Sequence, residues 1–583
     1  MIKKVFREML IAQILSSVTV MICMLIDSIM IGRFLGVDAM TAYGLSAPVL
    51  LIFAAVGSVI SAGVQVMCGK TMGSADKEGT NTCYSTAVTI GASIAICGLF
   101  LVLIFSRPLT TLLGAGDPTP GNSVFKLTRD YLCGYIIGTP AVVLAQIAVP
   151  FLQISGKRSR LALAVSVLTL ADITFNSLNV FVFHGGTYGM GLASGLSYYI
   201  ALFVGAGYFI SKKCIFRFSF RNVKPRAALM LFKHSTPTIV NQLSFVLLIF
   251  TLNNILLGVA GTHAVAAYSV IYSIGNLCYS VGAGIGAVSM MLSSIFYTDE
   301  DRTSLRTLVK TMTFYAFVLD FILIIVIILI APSIVSLYLT RGSPVRRLTV
   351  FGLRLFSLSL LASSINSSFK QYFQGVNRAL FTETISVLQN FVFVSIYSFI
   401  LSRFIGTTGV WISFLFGETT TLLFLVITVW IANRKITLSE DAFLMLRPDF
   451  GVAANDLLEI SAQTPEEAES MPEKALDFCM AHGENEEDCE HISRCIGEMV
   501  HNIVTHGFGA DEKAHIIDLR VMFKKDKSRV IRIRDNCRSF DPVNYLENHS
   551  ENGKDSGIAM VMSLAKDANY VNSLGLNNLT LVF

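Results

Sequence analysis

Five carboxylates, Asp27, Asp172, Asp320, Glu383 and Glu418, fall inside long apolar stretches. An ionisable group inside a bilayer costs several kcal/mol and persists with a partner or a function. For Asp320, Glu383 and Glu418 a helix-end residue reaching the interface is an equally good reading. Asp27 closes a long apolar run in "MLIDSIMIGRFLG" and has no such excuse. A second set of reactive groups lies near the other end of the chain. "GEMVHNIVTHGF" spaces Glu498, Asn502 and His506 four residues apart, which puts them on one helix face. A carboxylate and an amide oxygen so placed orient water and hold Mg²⁺ against phosphates. "RIRDNCRSFDP" then sets Asp535 after a strand, and "GKDSGIAMVMSLAKDANY" supplies Gly553 and Gly557 at a helix start, where backbone N–H groups cradle phosphate. The spacing Gly-x-x-x-x-Gly-Lys-Ser/Thr is absent, which argues against an ATP-driven pump.

The elements that must hold these groups are of two kinds. Apolar stretches long enough to cross a bilayer occupy 9–31, 42–68, 83–105, 131–153, 160–183, 189–211, 235–257, 264–296, 311–338, 350–373, 381–402 and 409–432, twelve in all. After Lys435 the apolar character collapses. Residues 436–455 read as a linker. In 456–583, "DLLEISAQ", "AHIIDLRVMF", "SRVIRIRD", "ANYVNSLG" and "NNLTLVF" surround helices expected at 465–482, 485–504 and 556–566.

Charge divides the chain at the same place. Residues 1–435 carry 31 Lys and Arg against 14 Asp and Glu, and the remainder 14 against 26. The net charge of +5 is an average of the two and is no nucleic-acid footprint. An even number of spans puts both ends on one side. The loops on that side hold 22 basic residues against 9 on the other, so both termini are expected in the cytoplasm of a multi-pass protein of the inner (plasma) membrane. Lys370 is counted among the 22. The N-terminus runs from Lys3, Lys4 and Arg7 into apolar helix without a small-residue cleavage site, as a first span does. The eleven cysteines form neither Cys-x-x-Cys pairs nor Cys/His clusters.

The central connector, with Lys212, Lys213, Arg217, Arg221, Lys224, Arg226 and Lys233, separates two halves of six helices. "GGTYGMGLAS" and "IGTTGVWISF" share a G-T-x-G core, and "ISGKRSR" recurs as "QGVNRAL", so the halves read as one unit used twice. Such a repeat with a cleft between its halves is common in secondary transporters.

The stretch around Asp27 resembles the first-helix signature of multidrug-and-toxin-extrusion transporters, an Asp followed by a small-apolar run and G-R-x-x-G. The resemblance covers nearly all of 1–435, through "AVAAYSV" and "GTTGVWISFLFGE". It implies that Asp27 is the Na⁺ or H⁺ site of an N-terminal lobe, completed by Asp172, Asn176 and Ser194. The family places the Asn before the Asp on the fifth helix; here the two are exchanged. One carboxylate and one amide still share a face, with the charge moved about one turn. The seventh helix offers Asn241, Gln242, Asn253 and Asn254 but no carboxylate, which favours coupling through the N-terminal lobe over Glu383 and Glu418. The fold so implied is an all-α polytopic membrane protein with lobes at 1–215 and 216–435.

The order of the three tail boxes resembles the ATP-binding α/β sandwich (the GHKL or Bergerat fold) of histidine kinases, gyrase-type ATPases and anti-sigma-factor serine kinases. That resemblance implies Glu498 as the catalytic, water-orienting acid, Asn502 as the Mg²⁺ ligand and Asp535 as acceptor of the adenine amino group, with ATP and Mg²⁺ as cofactors. Cys537 stands where the family has Gly, and crowds the adenine side. Two functions compete. One is an antiporter exporting cationic or amphipathic organic compounds, with the tail as an ATP-binding regulator. The other is a membrane-anchored serine/threonine kinase or sensor whose partner is a sigma factor or an anti-anti-sigma-like protein. Carboxylates retained in the spans favour the first.

Overall fold

The structure is a computed structural model describing residues 2–583 except 75, 116–118, 120–122, 212–213, 340–344, 435, 438, 448–449, 509–513, 525–527 and 549–556. Among the described residues ten helices are long and apolar enough to cross a membrane, and two bent pairs, Ser123–Ile136 with Thr139–Ile154 and Val345–Ser357 with Leu360–Gly375, raise this to twelve if each is one span. The bends are 47° and 48° and occur in the fourth and tenth spans, six apart. A π turn ends the fifth span at Asn179–Phe183, and another interrupts the eleventh at Leu388–Val392. Exposed Phe100, Leu101, Ile104, Phe203 and Phe404 face outward, where lipid replaces water as solvent.

The first six spans meet the last six at the end that carries the basic loops. Ala42–Gly73 packs there against Pro225–Gly261 and His263–Thr298. Ser235 Oγ donates to the Val59 carbonyl at 2.8 Å and Ser294 Oγ to the Gln65 carbonyl at 3.0 Å. Small residues permit this approach: a Cβ on Gly63 would lie 2.6 Å from the Leu231 carbonyl oxygen, and one on Gly73 2.7 Å from that of Ile295. Lys70 Nζ donates to Asn377 Oδ1 at 3.2 Å across the same seam.

Residues 440–447 and Phe450 pack on the bundle: Phe450 stacks on Tyr297 at 5.1 Å, Tyr372 Oη donates to the Leu444 carbonyl, and Arg306 pairs with Asp441. Beyond them lies an antiparallel sheet of β1 (Leu457–Ala462), β2 (Ile517–Phe523), β3 (Arg529–Asp535), β4 (Asp567–Ser573) and β5 (Leu576–Val582), in the order β1-β2-β3-β5-β4. Period-two alternation gives the sheet two faces. Leu519, Val521, Ile531, Ile533, Leu579 and Leu581 form one core with Cys489, Ile492, Ile496 and Met499 of the helix Glu486–Ile503. That helix is opened by the Asn485 side chain, which accepts from Glu487 N–H, and by three acidic residues in its first turn. The opposite face carries Arg520, Arg532 and Arg534 and lies against the turn that joins the eighth span to the ninth.

Candidate functional site

Asp27 sits in the first helix (Ile2–Met30), ahead of the π turn Ile31–Leu35. Its carboxylate is 7 % exposed and is held from two further spans. Asn176 Nδ2 of the fifth donates to Oδ1 at 2.6 Å, and Ser194 Oγ of the sixth donates to Oδ2 at 2.9 Å. Asp172, one turn before Asn176, accepts from Ser197 Oγ at 3.3 Å. All four residues singled out in the sequence, Asp27, Asp172, Asn176 and Ser194, are therefore buried together, and Ser197 is the member missed. Its signal was its place three residues after Ser194, almost one helical turn. The exchanged order on the fifth helix has a simple outcome: the amide faces Asp27, and the second carboxylate stands one turn away on the same face.

Two oxygens of this cluster, Asp172 Oδ2 and Asn176 Oδ1, are buried without a hydrogen-bond partner. Buried polar atoms are normally satisfied, so orphaned acceptors beside carboxylates match a proton or a hard monovalent cation. The donor set is all oxygen, which fits Na⁺ and not a soft metal. No group of three or more His, Cys, Asp or Glu placed to bind a metal occurs among the described residues.

The last six spans hold a second buried polar cluster. Glu418 accepts from Asn366 Nδ2 at 2.9 Å and Gln389 Nε2 at 3.1 Å. Lys370 Nζ donates to Gln389 Oε1 at 3.0 Å and Asn241 Oδ1 at 2.7 Å. Lys370 is thus no loop residue, as the tally of basic loops took it to be, but a buried cation in the tenth span. Glu418 and Gln389 also line a narrow cavity among Tyr268, Tyr272, Tyr279 and Phe414. Asp320 is buried apart from this cluster, and Glu383 is half-buried outside it.

In the tail, Glu498 Oε1 accepts from Asn502 Nδ2 at 3.1 Å, which leaves the amide oxygen of Asn502 as the atom to offer a cation. Glu498 also lies against the start of the helix Gly557–Leu564, where a Cβ on Gly557 would come 1.8 Å from Oε1. Glu498, Asn502 and Gly557 are therefore neighbours; Gly553 lies outside the described residues. The α-helix ends at Ile503, and His506 follows in the π turn Val504–Phe508, where it is exposed.

Asp535 ends β3. Burial raises its pKa from the ordinary aspartate value, while hydrogen bonds from Asn577 Nδ2 and the Cys537 N–H, both 2.8 Å, act in the opposite sense. Asn577 is held in turn by Tyr570 Oη at 2.6 Å and Asn572 Nδ2 at 2.9 Å. The Cys537 side chain fills space beside Gly507, where a Cβ would sit 2.7 Å from its sulfur. The side chain at 537 thus stands between the turn after the Glu498 helix and the Asp535 carboxylate, to which it also hydrogen-bonds.

Comparison with known proteins bears on the spans and not on the tail. The MatE family model matches residues 12–178 and 237–400. The chain is 20% identical over 415 residues to "Multidrug export protein MepA" of Staphylococcus saprophyticus, covering 70% of this chain and 90% of that one. It is 21% identical over 409 residues to the protein of the same name from Staphylococcus aureus, covering 69% and 88%. Among solved structures, "Outward-facing conformation of a multidrug resistance MATE family transporter of the MOP superfamily" superposes with a TM-score of 0.67 at 19% identity, covering 73% of this chain and 94% of that one. A Pyrococcus furiosus transporter of the MOP superfamily, whose title reports a binding pocket of reversed polarity, gives the same values. The two matched segments together span more than half of the sequence and hold Asp27, Asp172 and Asn176, and the chain belongs to the MatE family.

Proposed function

We propose that the chain is a secondary antiporter that exports organic compounds, cationic or amphipathic, in exchange for Na⁺ or H⁺. The observation that carries this reading is the Asp27 carboxylate, buried between the first, fifth and sixth spans and gripped by Asn176 and Ser194 beside a second carboxylate with a free oxygen. Two buried carboxyls side by side are most stable with one positive charge between them. An ion entering there ties the first span to the fifth and sixth, and its release loosens them. Differential binding to two arrangements of the lobes 1–215 and 216–435 is what drives alternating access. The names of the staphylococcal relatives support export of many drugs. The basic-loop asymmetry supports termini in the cytoplasm and residence in the plasma membrane. Efflux of a fluorescent organic cation from cells, with Asp27→Asn beside the parent, tests the reading: undiminished efflux in the variant would end it.

For residues 456–583 we infer a regulatory nucleotide-binding domain. Asp535 would take the adenine amino group, Asn502 would hold Mg²⁺, and Gly553 and Gly557 would approach the phosphates. Glu498, beside Asn502 at the helix start, would orient the attacking group if phosphate is transferred to a protein partner. When bound, Mg²⁺ supplies neutralisation of phosphate charge. Binding of ATP by the intact protein, measured by calorimetry in detergent, tests this part. No heat at millimolar ATP would leave the domain as a protein-binding module.

A further inference from the structure

The tail domain does not hang from the bundle; it touches both halves. On the last six spans it is fixed by buried charge. Arg534 Nη2 and Arg532 Nη1 reach the Asp299 carboxylate at 2.9 and 3.2 Å, and Arg520 Nη1 reaches Asp301 Oδ2 at 3.0 Å. Asp299 and Asp301 are 5 % and 3 % exposed, so these pairs are shielded from water and salt. Thr303 Oγ1 adds a hydrogen bond to Glu459 at 3.0 Å, and Asp441 and Phe450, ahead of β1, hold Arg306 and Tyr297 of the same half.

The hold on the first six spans is smaller and of another kind. The tip of the β4–β5 hairpin, Leu574–Gly575, enters the turn after the fourth span. Leu574 N–H donates to the Ile154 carbonyl at 2.5 Å. Gly156 and Gly575, both at positive φ, meet backbone to backbone: a Cβ on Gly156 would lie 2.6 Å from Gly575 N. Val571, Leu574 and Leu576 join the apolar cluster that contains Phe151 and Ile154. One exposed ion pair, Lys77 to Asp541 at 2.9 Å, completes the contact. The seam between the halves is closed at this same end, through Ser235 with Val59 and Ser294 with Gln65.

We propose that the sheet domain is an interaction surface for its own transporter, a latch that is bolted to the C-terminal lobe by Arg520, Arg532 and Arg534 and holds the basic-end gate shut through the Leu574–Gly575 tip. The proposal rests on the reading of the chain as an alternating-access transporter. Opening the gate moves the turn at Ile154–Gly156 away from the turn at Asp299–Asp301. A domain fixed to the second must then release the first. The tip is the side that yields: among the described residues it is held by backbone and apolar contact and by the exposed Lys77–Asp541 pair, against several buried guanidinium–carboxylate contacts and a covalent connection.

The test uses the full chain in lipid nanodiscs with a reporter at the closed seam, Ser235→Cys, whose side chain is fully buried between Val59 and Leu231. Its alkylation by a water-soluble maleimide, measured against the parent chain, reports gate opening without any transport. Leu574→Asn keeps a residue that tolerates the positive φ of 59° and removes the plug. Separately, a carbodiimide joins Lys77 to Asp541 as an amide, the water lost being taken up by the reagent. Lys77→Arg, which keeps the ion pair but forms no amide, is the control. Alkylation several-fold faster in Leu574→Asn, and slower in the amide-linked protein than in the control, is the expected result. Equal rates in Leu574→Asn and its parent, or unimpeded alkylation of the amide-linked protein, would overturn the latch. If these differences stand while no variant, the parent included, moves any substrate, the transporter reading falls and the latch does not.

Discussion

Asp27→Asn is the substitution that isolates charge from shape. Asparagine keeps an oxygen to accept from Asn176 Nδ2 and places its NH₂ toward Ser194 Oγ, which can turn to accept it. By contrast, Asp27→Leu strips both donors of their acceptor, at about 1–3 kcal/mol each for a buried group left unpaired, and would confuse folding with function. The asparagine variant should therefore unfold within about 1 kcal/mol of the parent, since removing one buried charge that keeps its hydrogen bonds is close to neutral. Ion binding is another matter. Hydrogen bonds and contacts that involve a charged group are worth about 1.5–3 kcal/mol, so losing the Asp27 charge should weaken the coupling ion by roughly 10- to 150-fold. The assay is efflux from proteoliposomes carrying a Na⁺ gradient in one series and a pH gradient in the other, with thermal unfolding of the same preparations. A variant that is as stable as the parent and that still couples efflux to either gradient would refute the assignment of Asp27.

Asp172→Asn should also lose coupling, because it removes the second carboxylate; equal efflux would take Asp172 out of the site. Exchanging the pair, Asp172→Asn with Asn176→Asp, brings a carboxyl to the place where the amide now lies 2.6 Å from Asp27, so the doubly exchanged protein should hold its ion more tightly and turn over more slowly, as ion-binding titration with efflux will show. In the tail, Asp535→Ala should weaken ATP by about 1.5–3 kcal/mol, whereas Glu498→Ala should leave affinity unchanged, both by calorimetry. Asp535 must be ionised to take a charge-assisted hydrogen bond. Because burial raises its pKa, protonation and loss of ATP affinity should set in, as pH falls, above the range where an exposed aspartate titrates. Lys370→Met leaves Gln389 Oε1 without its donor and should cost about 1–3 kcal/mol of stability. Combined with Glu418→Gln, the loss should be smaller than the sum of the two, since Gln389 bridges them; strict additivity in thermal unfolding would rule that bridge out.

The N-terminal half of the site was legible because a carboxylate deep in an apolar run stands out against its neighbours, while Asn176 and Ser194 came from the family resemblance and not from any pattern of their own. Lys370 was not legible. In "SSINSSFKQYFQG" it is surrounded by polar residues near a helix end and reads as a snorkelling loop residue; only the tertiary approach of Asn241 and Gln389 shows that it points inward. The docking of the tail was equally hidden. Arg520, Arg532 and Arg534 alternate with core residues along two strands, the pattern of any sheet with one face in water, and the acidic turn that covers them is over two hundred residues away in the chain.

The hydrogen bond from Leu574 to the Ile154 carbonyl joins residues 420 positions apart in the chain, and this separation fixes the order of assembly. Every span is synthesised before β4 and β5, so the hairpin meets a receptor only if the fourth span has already been threaded in the correct sense and the halves have come together. A molecule with one span left out or inverted offers no such turn on that side. Its sheet would keep Arg532 and Arg534 without the Asp299 carboxylate and an apolar tip in water. The first seating of the hairpin is therefore a late step of assembly, possible only after the turn at Ile154 is in place.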